Sequence, residues 1–246
     1  MTSIFLTGVT SGIGAIVLRE CIRDGRRVLV LVRSEEQGRA LRQEHGDQVE
    51  SLVADLRFPA QTSALSETLR TRRFDQVLLN AGYAVLGPFA DVSADDFDAM
   101  IEANLLANTR LVRALLPGLR ESKGKLTIVS SIVARLPGRD YAAYGVAKAG
   151  LSHFAQSLRL EEPELKLLCL EIGGVNSEFH QKSRSSFRVE KFKSTRTIGR
   201  RVYRAMFSGS TGLRTLDPGW WLMRRIAMAW QDQIVGLVRM FARPKT

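Results

Sequence analysis

Thr7-Gly8-Val9-Thr10-Ser11-Gly12-Ile13-Gly14 closes a short apolar run, Ser3–Thr7, and leads into a stretch of helical period, Ile13–Asp24. Glycines between a strand and a helix let the backbone turn tightly and approach a pyrophosphate closely. They also open a helix N-terminus toward negative charge. The spacing is G-x3-G-x-G, not G-x-G-x-x-G, and glycines alone could mark a mere turn. Its place directly after a first strand is what makes it a dinucleotide signal.

Working outward, short β-branched runs alternate with helix-length segments. Strands are expected at Ser3–Thr7, Arg27–Val32, Val49–Ala54, Phe74–Leu79, Lys125–Ser130 and Leu165–Glu171, nearly continuous in apolar character, as strands covered on both faces are. Helices are expected at Ile13–Asp24, Ala60–Arg70, Ala94–Leu116 and Ala143–Leu160. That alternation predicts an α/β fold: a Rossmann-type doubly wound parallel sheet of about seven strands with helices on both faces. No repeat or low-complexity linker interrupts the 246 residues. The chain reads as one domain, with a core over 1–179 and a substrate loop and amphipathic extension over 180–246.

Composition narrows the classes. Hydrophobic content of 45% and charged content of 25% are ordinary globular values. No apolar run is long enough for a membrane span, and Met1-Thr2-Ser3 leads into a strand, not a signal peptide. Cys21 and Cys169 suggest no disulfide framework, so a reducing cytoplasm is expected. His45, His153 and His180 stand singly without ligand spacing, and no metal is expected. Asp95, Asp96 and Asp98 follow Ser93 and read as a helix N-terminus, not a catalytic carboxylate pair.

The charge is uneven. From His180 onward stand 15 Lys/Arg against 3 Asp/Glu, whereas the first 179 residues are nearly balanced. Gln181–Thr197 reads as a basic loop, Arg200–Phe207 as a helix and Gly212–Leu216 as a seventh strand. In Trp220–Arg243, taken as a helix, Arg224, Arg225, Asp232, Arg239 and Arg243 share one side. Leu222, Met223, Ile226, Trp230, Ile234, Leu237 and Phe241 lie opposite. Such a face fits packing on the domain, a second subunit, or a membrane surface contacted through 220–243. No nucleic-acid-binding module accompanies the charge.

Tyr144 and Lys148 stand one helical turn apart on one face. An ammonium beside a phenol favours the phenolate and brings its pKa down toward working pH, which suits proton transfer to a carbonyl. Tyr141 has only Gly145 at the matching position. At the end of the second strand Arg33 stands where enzymes preferring NAD place an acid. It can pair with a 2′-phosphate or be a surface arginine.

These motifs together resemble the short-chain dehydrogenase/reductase family from about Ile4 to Ser177. The glycine pattern matches Thr7–Gly14, the acid after the third strand is Asp55 in Val53-Ala54-Asp55-Leu56, and N-A-G is Asn80-Ala81-Gly82. The helix asparagine is Asn104, and the serine preceding Tyr144 is Ser131. The resemblance implies an enzyme acting on CH–OH and C=O groups with NADP(H), NAD(H) being the lesser fit. It implies proton transfer by Tyr144 and a substrate hydrogen bond from Ser131. Lys148 would hold the nicotinamide ribose, and Asn104 a relay water. Cofactor contacts are implied for Thr7, Gly8, Thr10, Ser11, Gly12, Ile13, Gly14, Arg33, Asp55, Leu56, Asn80, Ala81, Gly82, Tyr144 and Lys148. After the sixth strand Gly173, Val175 and Ser177 join them, but Gly173-Gly174 replaces the usual Pro-Gly, which leaves the loop shape open. The tail resembles those of members acting on lipids, steroids or long hydrophobic carbonyls, and the family implies a homodimer or homotetramer. A non-catalytic dinucleotide sensor or membrane-docked scaffold is the rival reading.

Overall fold

The computed structural model describes residues 3–176 and 192–229. Its centre is a seven-stranded, all-parallel sheet in the order β3-β2-β1-β4-β5-β6-β9. The strands are β1 (Ile4–Thr7), β2 (Val28–Val32), β3 (Val49–Val53), β4 (Gln76–Leu79), β5 (Lys125–Ser131), β6 (Lys166–Ile172) and β9 (Gly212–Arg214). A two-stranded pair, β7 (Val175–Asn176) and β8 (Lys193–Ser194), stands apart. The chain winds outward from β1 to β3, returns to β4, and winds the other way. That reversal opens a crevice between β1 and β4 at the C-terminal edge of the sheet.

Alternation within each strand divides the core. Ile4 and Leu6 face one cluster with α1 (Gly12–Arg23) and α7 (Thr195–Phe207), whereas Phe5 faces the other with α3 (Pro59–Arg70), α5 (Ala107–Ser122) and α6 (Ala142–Glu161). Helix α7 lies close on α1 because Gly199 has no side chain: a Cβ there would stand 2.5 Å from Ile16 Cβ.

Three expectations change. The helix α2 (Glu35–His45) has no apolar stripe and buries only Gly38, so periodicity could not announce it; Ser34 caps it by accepting from Gln37 N. The long helix expected over Ala94–Leu116 is α4 (Ala94–Ile101), a π-helical turn over Glu102–Leu106, and α5, which runs through Pro117 to Ser122. The loop expected to Thr197 and the helix expected from Arg200 also move. Lys193–Ser194 form a strand, and Ser194, accepting from Thr197 N, starts α7 at Thr195. The last helix described is α8 (Pro218–Ala229); the notional helix beyond it, to Arg243, lies outside the described residues.

Candidate active site

The glycine turn is braced by the N-A-G segment across the crevice. Thr7 Oγ1 accepts from the backbone N–H groups of Asn80 and Ala81, each at 3.0 Å, and Asn80 Nδ2 donates to Gly8 O at 3.0 Å. Gly8 takes φ +69°, and a Cβ there would stand 2.7 Å from Ala81 Cα; at Gly14 it would stand 1.9 Å from Gly8 O. Gly12 differs. At φ +61° its missing Cβ would meet nothing within 4 Å, so the turn is open on that side. Ser11 takes the N-cap of α1 without a side-chain cap, and both Thr10 and Ser11 are exposed. First-turn amides without a side-chain acceptor beside open space fit a pyrophosphate. Ile13 is half-buried and packs against the α1–α7 cluster.

At the adjoining strand ends, β2 and β3 run in register to Val32 and Val53, so Arg33 lies beside Ala54 and Asp55. Asp55 is held by Arg57, with Nη2 2.6 Å from Oδ2. Burial pushes the Asp55 carboxyl up, but the hydrogen bonds and charge of Arg57, with Arg33 further off, hold it below its ordinary value. Leu56 is buried in the apolar core and offers a ligand only backbone. Arg57 is a residue that motif reading missed, for no spacing rule points to it.

The second cluster lies where β5 ends and α6 begins. Ser131 ends β5, and its hydroxyl accepts from Val133 N at 3.3 Å and is hydrogen-bonded to Tyr144. Lys148, one turn along α6 and only 3% exposed, donates from Nζ to Val129 O at 3.3 Å and stands 5.6 Å from the Tyr144 ring centroid. Ser130 Oγ donates to Lys148 O at 3.1 Å and accepts from Ser152 Oγ at 2.8 Å, which staples α6 to β5. The motif left out Ser130 and Ser152, although Ser152 repeats the Tyr144–Lys148 interval.

Asn104 sits in the π-helical turn, fully buried. Its Nδ2 donates to Tyr83 O at 2.6 Å and Met100 O at 3.0 Å. π-Turns of this kind insert a residue into a helix, which turns a side chain out of its regular row. Gly82 lets this cluster close, since a Cβ there would stand 2.8 Å from Asn104 Oδ1 and 3.6 Å from Lys148 Nζ.

The electrostatics differ from the expectation of a lowered phenol. Burial holds Tyr144 above the ordinary tyrosine value, Tyr141 adds to this, and the hydrogen bond with Ser131 only partly offsets it. Desolvation of the phenolate is the largest of these influences. Burial also pushes the Lys148 ammonium down to about 8, opposed by Cys169.

Ile172 is the register partner of Ser131, so the turn that follows it opens beside the Ser131–Tyr144 cluster. Gly173 lies under the Trp220 indole and Gly174 under the Phe192 ring; a Cβ would come within 2.2 and 2.6 Å of them. That is a physical reason for glycine where a proline is usual. A cavity of about 300 Å³ adjoins this turn, walled by Ile172, Ile198, Leu216, Phe192 and Trp220, with Lys193 and Asp217 among its lining residues. Val175 is buried in β7, and Ser177 lies outside the described residues.

Thus the structure gathers Thr7, Gly8, Gly14, Asn80 and Ala81 in one place. It gathers Ser131, Tyr144, Lys148, Asn104 and Gly82 in another, and it leaves Arg33 exposed at the outer strand ends. The family model described as short chain dehydrogenase matches residues 2–187. Among similar proteins, retinol dehydrogenase 7 of Mus musculus is 28% identical over 194 residues, 76% of this chain and 61% of its own length. Oxidoreductase BOA17 of Botryotinia fuckeliana is 32% identical over 186 residues, 73% of this chain and 68% of its own. A short-chain dehydrogenase from Sphingobium yanoikuyae, solved in complex with NADPH, superimposes with a TM-score of 0.82 at 25% identity, covering 100% of this chain and 98% of that one. The match spans about three fifths of the mouse relative's length. The fold, the braced glycine turn and the family match lead to one conclusion: this chain belongs to the short-chain dehydrogenase/reductase family.

Proposed function

We propose that this chain is an NADP(H)-dependent oxidoreductase that interconverts a carbonyl and an alcohol on a hydrophobic substrate, with Tyr144 as proton donor and acceptor. The carrying observation is the hydrogen bond of Tyr144 with Ser131 at the sheet edge, with Lys148 buried behind it. The open side of the glycine turn and the NADPH held by the Sphingobium protein support the cofactor. When bound, the nicotinamide supplies the hydride.

The protein's part is proton handling. Ser131 and Tyr144 hydroxyls donate to the substrate oxygen, and Tyr144 releases its proton as negative charge gathers there. A phenol held above its ordinary pKa is neutral and ready to donate at neutral pH. The Lys148 ammonium then faces the phenolate left behind, and Lys148 Nζ takes the ribose hydroxyls. Asn104 Oδ1, on the Lys148 side of Gly82, holds the water that passes a proton in from solvent. The aromatic cavity beside Gly173 supports a lipid-, steroid- or long-chain-like substrate.

The reading extends to assembly. We take the whole chain as one domain, with the cytoplasm as its compartment on the strength of two free, buried cysteines. Exposed Leu106 and Val146, on the elements bearing Asn104 and Tyr144, support a homodimer or homotetramer. Trp221, Leu222, Met223 and Ile226 of α8 are exposed together, and with the arginines that follow they support contact with a membrane surface. Among the described residues no helix is long and apolar enough to cross a membrane. Sedimentation of the full chain, with and without anionic vesicles, reads both features; a monomer that ignores vesicles removes both.

The central test is titration with NADPH and NADH, followed by nicotinamide fluorescence, together with Tyr144→Phe. The variant is expected to bind NADPH within about twofold while losing on the order of 10²–10⁴ in carbonyl reduction. Unchanged turnover overturns the proton-donor role. Failure to bind either nucleotide favours the scaffold reading.

A further inference from the structure

From Leu167 to Ile172, β6 is a buried apolar run with a carboxylate set into it, and Glu171 is 0% exposed. Alternation puts Glu171 on the face of Cys169, which packs in the core with Leu151 and Ala155 of α6. Its register partner is Ser130, the residue that staples β5 to α6. A carboxylate buried so deeply calls for a cation. Arg135 supplies it, with Nε donating to Glu171 Oε1 at 3.1 Å.

Arg135 reaches that carboxylate from the far end of the Ser131 turn. After β5, Ile132–Ala134 make one tight helical turn, which Ser131 Oγ opens by accepting from Val133 N at 3.3 Å. Arg135 N and Leu136 N close it, each donating to Ile132 O at 2.9 Å. The turn is thus fastened at its start to β5 and at its end, through the guanidinium, to β6. Ser131 Oγ belongs to this turn and to the Tyr144 hydrogen bond at once. A turn free to swing at Arg135 would carry Val133 N with it and draw the hydroxyl off Tyr144.

Stability alone does not call for such a pair. Apolar side chains of similar volume are commonly as stable there or more so, because buried ions lose their water. What a guanidinium–carboxylate contact adds is a fixed direction. Here that direction is imposed on the residue that ends the Ser131 turn.

We propose that Arg135 and Glu171 are positioning residues: their ion pair holds the turn after Ser131 so that its hydroxyl meets Tyr144 and the substrate oxygen together. This rests on the roles given to Ser131 and Tyr144 above and adds the two residues that orient Ser131.

Two variants of the full chain pull stability and turnover in opposite directions. Arg135→Met combined with Glu171→Leu removes both ions, and its urea midpoint is expected to hold or rise. Its kcat for reduction of decanal by NADPH should fall about 10- to 100-fold, the range of a misplaced group, with KM and NADPH affinity within about twofold. The conservative Glu171→Gln keeps an acceptor for Arg135 Nε but leaves the guanidinium charge unpaired. Its midpoint is expected to fall while kcat stays within about threefold. Turnover that follows stability in both variants overturns the proposal, and so does parental kcat in the double variant. Should the double variant not fold, Arg135→Met alone, at the less buried end of the pair, takes its place, with kcat expected far below that of Glu171→Gln. Amide exchange at Val133 reads the turn without any substrate. It is expected to quicken in the double variant while the β5 amides keep their protection, and unchanged protection at Val133 overturns the proposal. If the parent chain binds NADPH but reduces no carbonyl, the Tyr144 reading fails, and exchange at Val133 alone decides whether the pair holds the turn.

Discussion

The glycine turn and the C-terminal quarter both close on the same edge of the sheet, but they are held there differently. At the turn, backbone meets backbone: Gly14 lies against Gly8 O, and Thr7 and Asn80 lock the two strand ends together. In the C-terminal quarter, side chains do the reaching. Trp220 and Phe192 lie on Gly173 and Gly174, Lys193 pairs with Asp217, and Arg201 Nη1 donates to Leu216 O at 3.0 Å. Backbone contacts cannot be relieved by a rotamer change, whereas side-chain contacts can. The first region is thus rigid by construction and the second adjustable, which suits a constant nucleotide beside a variable substrate.

The sharpest way to break this contrast is Gly14→Ala. The new methyl would stand 1.9 Å from Gly8 O and 2.7 Å from Gly8 C, with no side chain able to yield. We expect a loss of about 3 kcal/mol in stability, at the upper end of overpacking costs, together with loss of NADPH binding. Urea unfolding and a fluorescence titration read both. A variant that folds and binds as the parent does would show that the turn has slack its geometry denies.

The same contrast explains what could be read in advance. Strand cores such as Val28–Val32 are continuous apolar runs, and the residues of the glycine turn, N-A-G, Ser131, Tyr144 and Lys148 stand at strand ends or one helical turn apart. Contacts made by neighbours in the chain, or by ends of adjacent strands, leave a pattern in sequence. Arg57 on Asp55 leaves none, since any surface arginine has the same surroundings in the chain. Helix α2 was invisible for want of an apolar stripe, and the π-helical turn at Asn104 because a one-residue insertion hardly disturbs helical period. The Trp220–Gly173 contact joins distant segments, and only the missing proline hinted at it.

A pH series probes two buried lysines, one of which anchors the C-terminal quarter. Lys148 lies in the cluster with Tyr144 and Ser131, while Lys125 Nζ donates to Ala205 O at 2.7 Å and Ser208 O at 2.8 Å, tying down the end of α7. Burial pushes both ammonium groups down to about 8, from an ordinary value of 10.5. Between about pH 8 and 9 the unfolded chain therefore binds more protons than the folded one, and stability rises with pH. Burial pushes the Cys21 and Cys169 thiols up to about 12 from 9.0, so above pH 9 the folded chain retains protons that the unfolded chain loses. The two effects offset each other until the lysines are spent, and stability then falls. We expect a rise of about 1–2 kcal/mol from pH 8 to 9, close to one pKa unit's worth of free energy per lysine. Lys125→Met should remove about half of it. A steady fall in urea-unfolding stability from pH 8 onward would rule the argument out.

Gly173→Ala applies the Gly14 experiment to the adjustable region. Its methyl would stand 2.2 Å from Trp220 Cδ1 and Nε1, as impossible on paper as the clash at Gly14. Here the obstacle is an indole on a half-buried residue at the start of α8, and it can turn aside. We expect a cost of about 1 kcal/mol, at the lower end of overpacking, with NADPH binding nearly kept. The displaced indole should report itself: with Trp221 and Trp230 replaced by phenylalanine, Trp220 emission should shift to the red as the ring gains water. Substrate KM should move more than kcat, because the ring walls the cavity and Tyr144 and Lys148 are not among the residues that line it. If Gly173→Ala costs as much as Gly14→Ala and emission stays put, the indole is as fixed as backbone. The C-terminal quarter would then be a second rigid wall, selecting substrates by shape alone.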